Sequence, residues 1–423
     1  MKKTMSDENI QKKTLFVGFA APNSEMEYFA HNDRRPQYAA NNLQWRIIDA
    51  VENTNIDVDV LSAPLISDYP NSSIMYYNGY AWARGESGTG VIMPVVNLTI
   101  IKHLIRYVYT FTYTMHWLIN NRRCKRYVMV YSVNSALLAA VFNACKILSI
   151  INVVIITDLP QYMNIGSSQG YTRRLLKYID KKIIYFIISK YDGIISLTRH
   201  IAEDCWPNKP SLVMEGIVSV KQIKKSELNE IKCLGNKHEF IIMYAGNLAK
   251  AYGVELLLEA FSGIMDERYK LWICGTGELA DRCRNAAQRD KRVTYYGLIP
   301  HEQVMELAYE SDLMTNLRLD SGDYVKYSFP SKLIEYMSSG CMVLSTKLPG
   351  IPIDYYNYIF TVDYLSHEAI IKRIIKISKL RVSARRYLRN ETKRFLLEKK
   401  TPAFWGSEIT RLLDTLNNAN VES

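Results

Sequence analysis

The chain has 423 residues, 48% of them hydrophobic and 22% charged, with a formal net charge of +11. This is a folded composition too long for one core, so two domains of roughly 200 residues are expected and extensive disorder is excluded. The positive balance calls for an anionic partner, while seven scattered cysteines without a C-x-x-C pair point to a reducing, cytoplasmic setting and not to a disulfide scaffold.

The opening residues, MKKTMSDENIQKK, are basic but carry no apolar run, which predicts a disordered tail over 1–13 and no signal peptide. Short β-rich runs then alternate with helical patterns: LFVGFA (15–20), VDVL (58–61), YVMVYS (127–132), NVVIIT (152–157), GIISLT (193–198) and SLVM (211–214). Continuous apolar strands separated by helices predict a parallel sheet covered on both faces, hence a doubly wound, Rossmann-like domain over 14–222. The most apolar long tract, Leu98 to Asn120, is interrupted by Lys102, His103 and Arg106 and so falls short of the ~20 apolar residues a membrane span needs. Asp57 and Asp59 form a D-x-D inside a strand-like run and read as structural. Asp158 follows a buried strand and precedes Pro160; it reads either as a turn residue or as a side chain projecting from the carboxyl edge of the sheet.

A Lys-rich stretch over 223–239, without a strand of its own, reads as a linker with a short helix. The alternation restarts with FIIMYAG (240–246), YKLWICG (269–275), RVTYYG (292–297), LMTNLR (313–318), CMVLST (341–346) and YIFTVD (358–363), which predicts a second Rossmann-like domain over 240–398. A last helix over 399–423 is expected to cross back to the first domain. Ligands of open α/β sheets bind outside the carboxyl ends of the strands, so two such domains facing a central cleft direct attention to the residues just after each strand.

Three segments there carry candidate chemistry. YAGNLAKAYG (244–253) is a glycine-bearing turn into a helix, where backbone N–H groups and Lys250 suit a phosphate; a plain βα loop is the alternative. CGTGE (274–278) is a second glycine turn, too short for a dinucleotide fingerprint. In YSFPSKLIEYMSSG (327–340), Pro330 suits a first helical turn, Gly340 a C-cap, Glu335 a vicinal diol such as a ribose, and Lys332 a diphosphate; an exposed Glu/Lys pair is the alternative. Histidines and cysteines show no metal-ligand spacing, and no G-x-S-x-G elbow supports a hydrolase.

Taken together, YAGNLAKAYGVELLLEAF, LWICGTGE, VTYYGLIPHEQVMELAYESDLMTNLR and FPSKLIEYMSSGCMVLST resemble, in order, the retaining GT-B glycosyltransferases of the group 1 (family 4) type. TDLP (157–160), YDGIISLT (191–198) and VMEG (213–216) look like weaker landmarks of the same family in the first half. The resemblance implies transfer of a sugar from a nucleotide sugar, UDP-linked as is commonest, with retention and without a bound metal or other cofactor. It implies donor binding by Gly246, Asn247, Lys250, Gly275, Leu298, Arg318, Tyr327, Pro330, Ser331, Lys332 and Glu335, and it puts Gly18 and Asp158 on the acceptor side. Asp158 and Glu335 are its catalytic candidates. Two departures stand out: the first Glu of the family's Glu-x7-Glu motif is Tyr327 here, with Asp320 or Asp323 as substitutes, and Asn247 and Tyr252 occupy the places of an Arg and a Lys. Lys250, Lys332 and Arg318 are expected to supply the missing charge at the diphosphate, because a dianion unpaired in a closed site is costly.

The basic residues are unevenly spread. Leu98 to Tyr131 carries six Lys/Arg and no acid among aromatic residues, and Tyr171 to Lys190 mixes cations with Leu175, Ile179, Ile183 and Phe186. Both read as basic amphipathic helices able to rest on anionic lipid, the alternative being apolar stripes packed on the sheet with solvated cations. A membrane surface suits a polyprenyl-diphosphate-linked saccharide acceptor, as used for bacterial surface polysaccharides, and hence a peripheral protein on the inner face of the cell membrane. A nucleic-acid partner is disfavoured, since no RNP, KH, zinc or helix-turn-helix signature is present. A GT-B epimerase or phosphorylase shares the fold and is the enzymatic alternative.

Overall fold

The computed structural model describes residues 10–34, 37–84, 88–131, 133–162, 171–228, 239–320, 322–362 and 364–422. The chain forms two compact units, Met1–Ile217 with Pro402–Ser423, and Val218–Thr401.

In chain order the first unit comprises β1 (Lys12–Gly18), α1 (Asn23–His31), α2 (Tyr38–Glu52), β2 (Ile56–Ser62), β3 (Tyr76–Tyr77), β4 (Tyr80–Arg84), β5 (Gly88–Ile92), β6 (Val95–Val96), α3 (Thr99–Asn120), β7 (Lys125–Tyr131), α4 (Ser135–Leu148), β8 (Asn152–Ile156), α5 (Tyr171–Ile188), β9 (Gly193–Ser196), α6 (Arg199–Cys205) and β10 (Ser211–Val213). Its main sheet runs β10-β9-β8-β7-β1-β2-β5-β4. The pairs from β10 to β5 are parallel and only the edge pair β4–β5 is antiparallel. Leu15, Phe16 and Val17 on β1 and Val153 to Ile156 on β8 are fully buried, as expected of strands covered on both faces. Lys12 and Lys13 belong to β1, so the disorder expected over 1–13 does not hold for them; residues 1–9 lie outside the described residues. The order reverses between β1 and β7, so the crevice of this unit opens at Gly18 and Tyr131.

The second unit comprises α7 (Val220–Leu228), β11 (Phe240–Ala245), α8 (Val254–Ser262), β12 (Tyr269–Cys274), α9 (Ala280–Arg289), β13 (Val293–Gly297), α10 (His301–Glu310), β14 (Leu313–Asn316), α11 (Lys332–Ser338), β15 (Met342–Thr346), β16 (Phe360–Val362), α12 (His367–Ser378) and α13 (Val382–Lys399). Its sheet, β13-β12-β11-β14-β15-β16, is parallel throughout and reverses between β11 and β14. Ile242, Phe261, Leu271, Ile273, Leu313 and Leu344 build the core between sheet and helices. Ser366 caps α12 by accepting a 3.2 Å bond from Ala369 N–H, which satisfies one of the four orphan donors of that helix start.

The boundary between units falls at 217/218, so the helix that opens the Lys-rich stretch belongs to the second unit; residues 229–238 lie outside the described residues. α14 (Pro402–Glu422) belongs to the first unit. It packs on α2 at Gly406, where a side chain would start 2.1 Å from Ala50 O, and Trp405 Nε1 donates to Gly216 O at 2.9 Å.

Of the two helices carrying the cations, α3 differs from expectation. α3 buries its positive groups: Lys102 Nζ is 2.8 Å from both Ile66 O and Asp68 Oδ1, and Arg106 Nη2 donates to Pro64 O at 3.1 Å with its guanidinium 5.4 Å from the Phe19 ring. Neither is a solvated surface cation, because the polar partners in the segment after β2 offset the loss of water.

Candidate functional site

The carboxyl edge of the second sheet, at its reversal point, encloses a cavity of about 390 Å³. Its walls come from the turns after β11 (Ala245, Gly246, Asn247) and β12 (Cys274, Gly275, Thr276), from Leu298 and Ile299 after β13, from α10 and from α11.

The two glycine turns are fitted backbone to backbone. Gly246 N–H donates to Cys274 O at 2.9 Å and Gly275 N–H to Gly297 O at 2.7 Å. Gly275 has φ +132°, and a Cβ there would lie 1.7 Å from Gly246 O, so only glycine fits.

α11 brings the charge. It starts at Lys332 with Ser331 as its cap, two residues later than Pro330 suggested, and Gly340 follows the helix at φ +79°. Glu335 therefore sits in the first turn, beside the cavity, and is half-buried. Lys332 Nζ donates to Ala245 O at 2.7 Å and lies 2.5 Å from where a Gly246 Cβ would begin. Although the Lys332 side chain as a whole is exposed, desolvation of its ammonium pushes the pKa below the ordinary 10.5, against the pull of Glu335. Tyr336, fully enclosed, donates to the same carbonyl at 2.5 Å, and Tyr244 OH donates to Asn247 O at 2.7 Å. A cation and a carboxylate one turn apart on α11 thus face a floor of exposed backbone, with Val304, Met305, Ala308 and Met314 forming an apolar end.

Of the donor-side residues predicted from sequence, Gly246, Asn247, Gly275, Leu298, Lys332 and Glu335 line this cavity together. Lys250, Arg318, Tyr327, Pro330 and Ser331 are not among its lining residues. Lys250 is exposed, and its backbone N–H donates to Glu278 Oε1 at 2.6 Å. Arg318 is buried, with its guanidinium 5.6 Å and 5.2 Å from the rings of Tyr252 and Tyr324, and Nη1 donates to Ser328 Oγ at 3.3 Å. Tyr327 closes a short turn, Asp323–Tyr327, with the Lys326 ammonium 4.8 Å from its ring. Asp320 and Asp323 are exposed.

In the first unit, Gly18 ends β1 at the reversal point, where a side chain would meet Gln44 Oε1 at 2.5 Å and Tyr131 Cβ at 3.1 Å. Gln44 Oε1 instead accepts from Phe19 N–H at 2.6 Å, and Asn41 Oδ1 from Ala21 N–H at 2.8 Å, so α2 fixes the turn after β1. Asp158 is exposed two residues beyond β8, and its carboxylate adds to the burial that raises the pKa of Tyr131. Gly18, Tyr131 and Asp158 therefore gather at one end of this sheet. Tyr131, Gln44, Tyr336 and His301 escaped the sequence reading, because an aromatic or amide in an apolar pattern looks like core.

Residues 226–395 match the family model described as glycosyl transferases group 1. Nearly the whole chain superposes on the lipopolysaccharide outer core galactosyltransferase WaaB, at 13% identity over 95% of this chain and 99% of that one, with a TM-score of 0.60. Sucrose-phosphate synthase from Thermosynechococcus elongatus gives 12% identity over 97% and 100%, TM-score 0.60. HepE of Anabaena, solved with UDP, gives 12% over 95% and 100%, TM-score 0.56. No curated protein sequence matches significantly. The fold is the GT-B fold, built from two Rossmann-like domains. Within that fold, the segment similar to the group 1 glycosyl transferases falls inside the second unit.

Proposed function

We propose that the protein transfers a sugar from a UDP-linked donor to a lipid-linked saccharide acceptor, with retention of configuration and without a metal, in the synthesis of a surface polysaccharide. The observation that carries the donor half is the cavity in which the Lys332 ammonium and the Glu335 carboxylate meet above two glycine turns. In this reading Glu335 accepts hydrogen bonds from the ribose diol, the apolar end beside Leu298 and Val304 receives the base, and Lys332 meets the diphosphate as it leaves. Preorganised positive charge aimed at the departing group lowers the barrier without reorganisation during the reaction. Lys250 and Arg318 add charge from outside the cavity wall, the tyrosines around Arg318 keeping its guanidinium in place.

Asp158, beside Tyr131 and Gly18, positions the acceptor hydroxyl or shares its proton. The UDP complex of HepE and the lipopolysaccharide named for WaaB support the choice of donor and acceptor class. Such work belongs at the inner membrane face, where a polyprenyl-diphosphate acceptor is held. The test is incubation with labelled nucleotide sugars, with and without lipid-linked acceptor. Acceptor-dependent transfer from a UDP-sugar is expected; turnover of free donor to an epimer, or phosphorolysis of a saccharide, overturns the reading.

A further inference from the structure

α3 is folded inside out. Lys102, Arg106, Thr110 and Thr114, one polar stripe, are buried, whereas Ile100, Leu104 and Val108 are 84%, 62% and 49% exposed. A surface helix ordinarily turns its apolar stripe to the core. Here Asp68 and the carbonyls of Ile66 and Pro64 hold the cations inward, which fixes the apolar stripe outward.

α5 adds a second stripe. Every described residue from Arg174 to Asp180 is exposed, and Leu175, Leu176 and Phe186 are 49%, 66% and 63% exposed. They alternate with Arg174, Lys177, Lys181 and Lys182, against the one acid Asp180. The Lys190 ammonium lies 5.3 Å from the Phe186 ring, so the cations flank the apolar groups. α4 packs against both helices, and the Asp180 carboxylate is near enough to act on the charge of His103 in α3, which puts the two stripes on one side of the unit.

We propose that this α3–α5 face docks on an anionic phospholipid surface. Ile100, Leu104, Leu175, Leu176 and Phe186 enter the boundary between headgroups and acyl chains, and the α5 cations meet lipid phosphates. Lipid is the occupant that the charge favours: apolar and cationic residues alternate on α5 with hardly an acid, as on helices that lie in a membrane interface. No helix among the described residues is long and apolar enough to cross a membrane, so the contact is peripheral. The proposal deepens the reading of a lipid-linked acceptor and rests on it only for the presence of a membrane.

Flotation of the full-length chain with vesicles of phosphatidylcholine, alone or mixed with phosphatidylglycerol, tests it. The protein is expected to float with the mixed vesicles at low salt and to be released as salt rises. The double variant L176D/F186D should bind about a hundredfold more weakly, at ~1.4 kcal/mol or tenfold per side chain. K181Q/K182Q should lose roughly 25-fold, about fivefold per cation. Both should bind UDP as the parent does. Failure of the parent to float with anionic vesicles overturns the proposal, as does equal flotation of L176D/F186D. So does a dimer in sedimentation that L176D/F186D breaks without any vesicle binding, since a second copy then covers the face. Loss of UDP binding by the unaltered protein sinks the donor reading and leaves the vesicle result standing.

Discussion

Replacing Lys332 with glutamine should separate folding from donor binding. The ammonium reaches Ala245 O at 2.7 Å, and its burial depresses its pKa below 10.5. A lysine whose folded pKa is lowered binds its proton less tightly than in the unfolded chain, so the charge detracts from stability at every pH below the lowered value; that loss fades as pH rises from there through 10.5. Glutamine keeps a donor for Ala245 O and removes the charge, so the thermal midpoint is expected to hold or rise. A diphosphate reverses the sign. A single charge-assisted hydrogen bond to Lys332 puts the loss of UDP affinity at about 1.5–3 kcal/mol, or roughly 12- to 140-fold. Calorimetric titration with UDP, run beside thermal unfolding, measures both. In the pH interval just below 10.5 the parent should also take up protons on binding UDP, because the dianion restores the lysine's pKa, and K332Q should not. If K332Q binds UDP within about threefold of the parent, the ammonium does not meet the diphosphate and the donor site has been misplaced.

Glu335→Ala should weaken UDP about tenfold while leaving the affinity for 2′,3′-dideoxy-UDP unchanged, since only a diol can use the carboxylate; equal losses for both nucleotides would refute the ribose assignment. Arg318→Ala is expected to raise the donor KM or cut kcat by more than about tenfold, and unaltered kinetics would remove it from the site. In the first unit, Asp59 is buried and accepts from Thr89 N–H at 2.8 Å, Thr89 Oγ1 at 2.7 Å and Trp117 Nε1 at 2.7 Å. Asp59→Ala orphans the buried Trp117 donor on α3 and frees the donors of exposed Thr89 on β5, so urea unfolding should show a loss of about 2 kcal/mol; a loss under about 1 kcal/mol would mean that water replaces the carboxylate.

The twelve apolar runs read from the sequence all fall on strands of the two main sheets, because strands buried on both faces must be apolar at every position. The hairpin β4–β5 was invisible for the converse reason. YAWAR and GTGVI lie at an edge, mix exposed with glycine positions, and depend on Gly90 letting the Trp82 ring approach within 2.2 Å of where a Cβ would be. The cavity of the second unit was legible at its glycine turns and at Lys332 and Glu335, whose spacing fixes their place on one helical turn. Arg318 was legible as a cation after a strand, but its direction depends on Tyr324 across the following loop and on Tyr252, which is distant in sequence. α3 shows the sharpest limit. Helical periodicity separates a polar stripe from an apolar one without saying which faces inward, and that choice belongs to Asp68 and two carbonyls more than thirty residues away.

The first unit is written in two pieces of chain. Its last helix, α14, buries Trp405, Ile409, Leu413 and Leu416, and the floor beneath it includes Ala50 and Gly193. During synthesis the whole of 218–401 emerges before that helix, so the later unit has all its residues while the earlier one still shows an uncovered apolar strip. A chain cut after Thr401 keeps the cavity of the second unit intact yet leaves the other unit open along α2, and such a fragment invites aggregation. The unit that can be produced on its own is therefore the second; the first requires 402–422 to be stitched back onto 10–217.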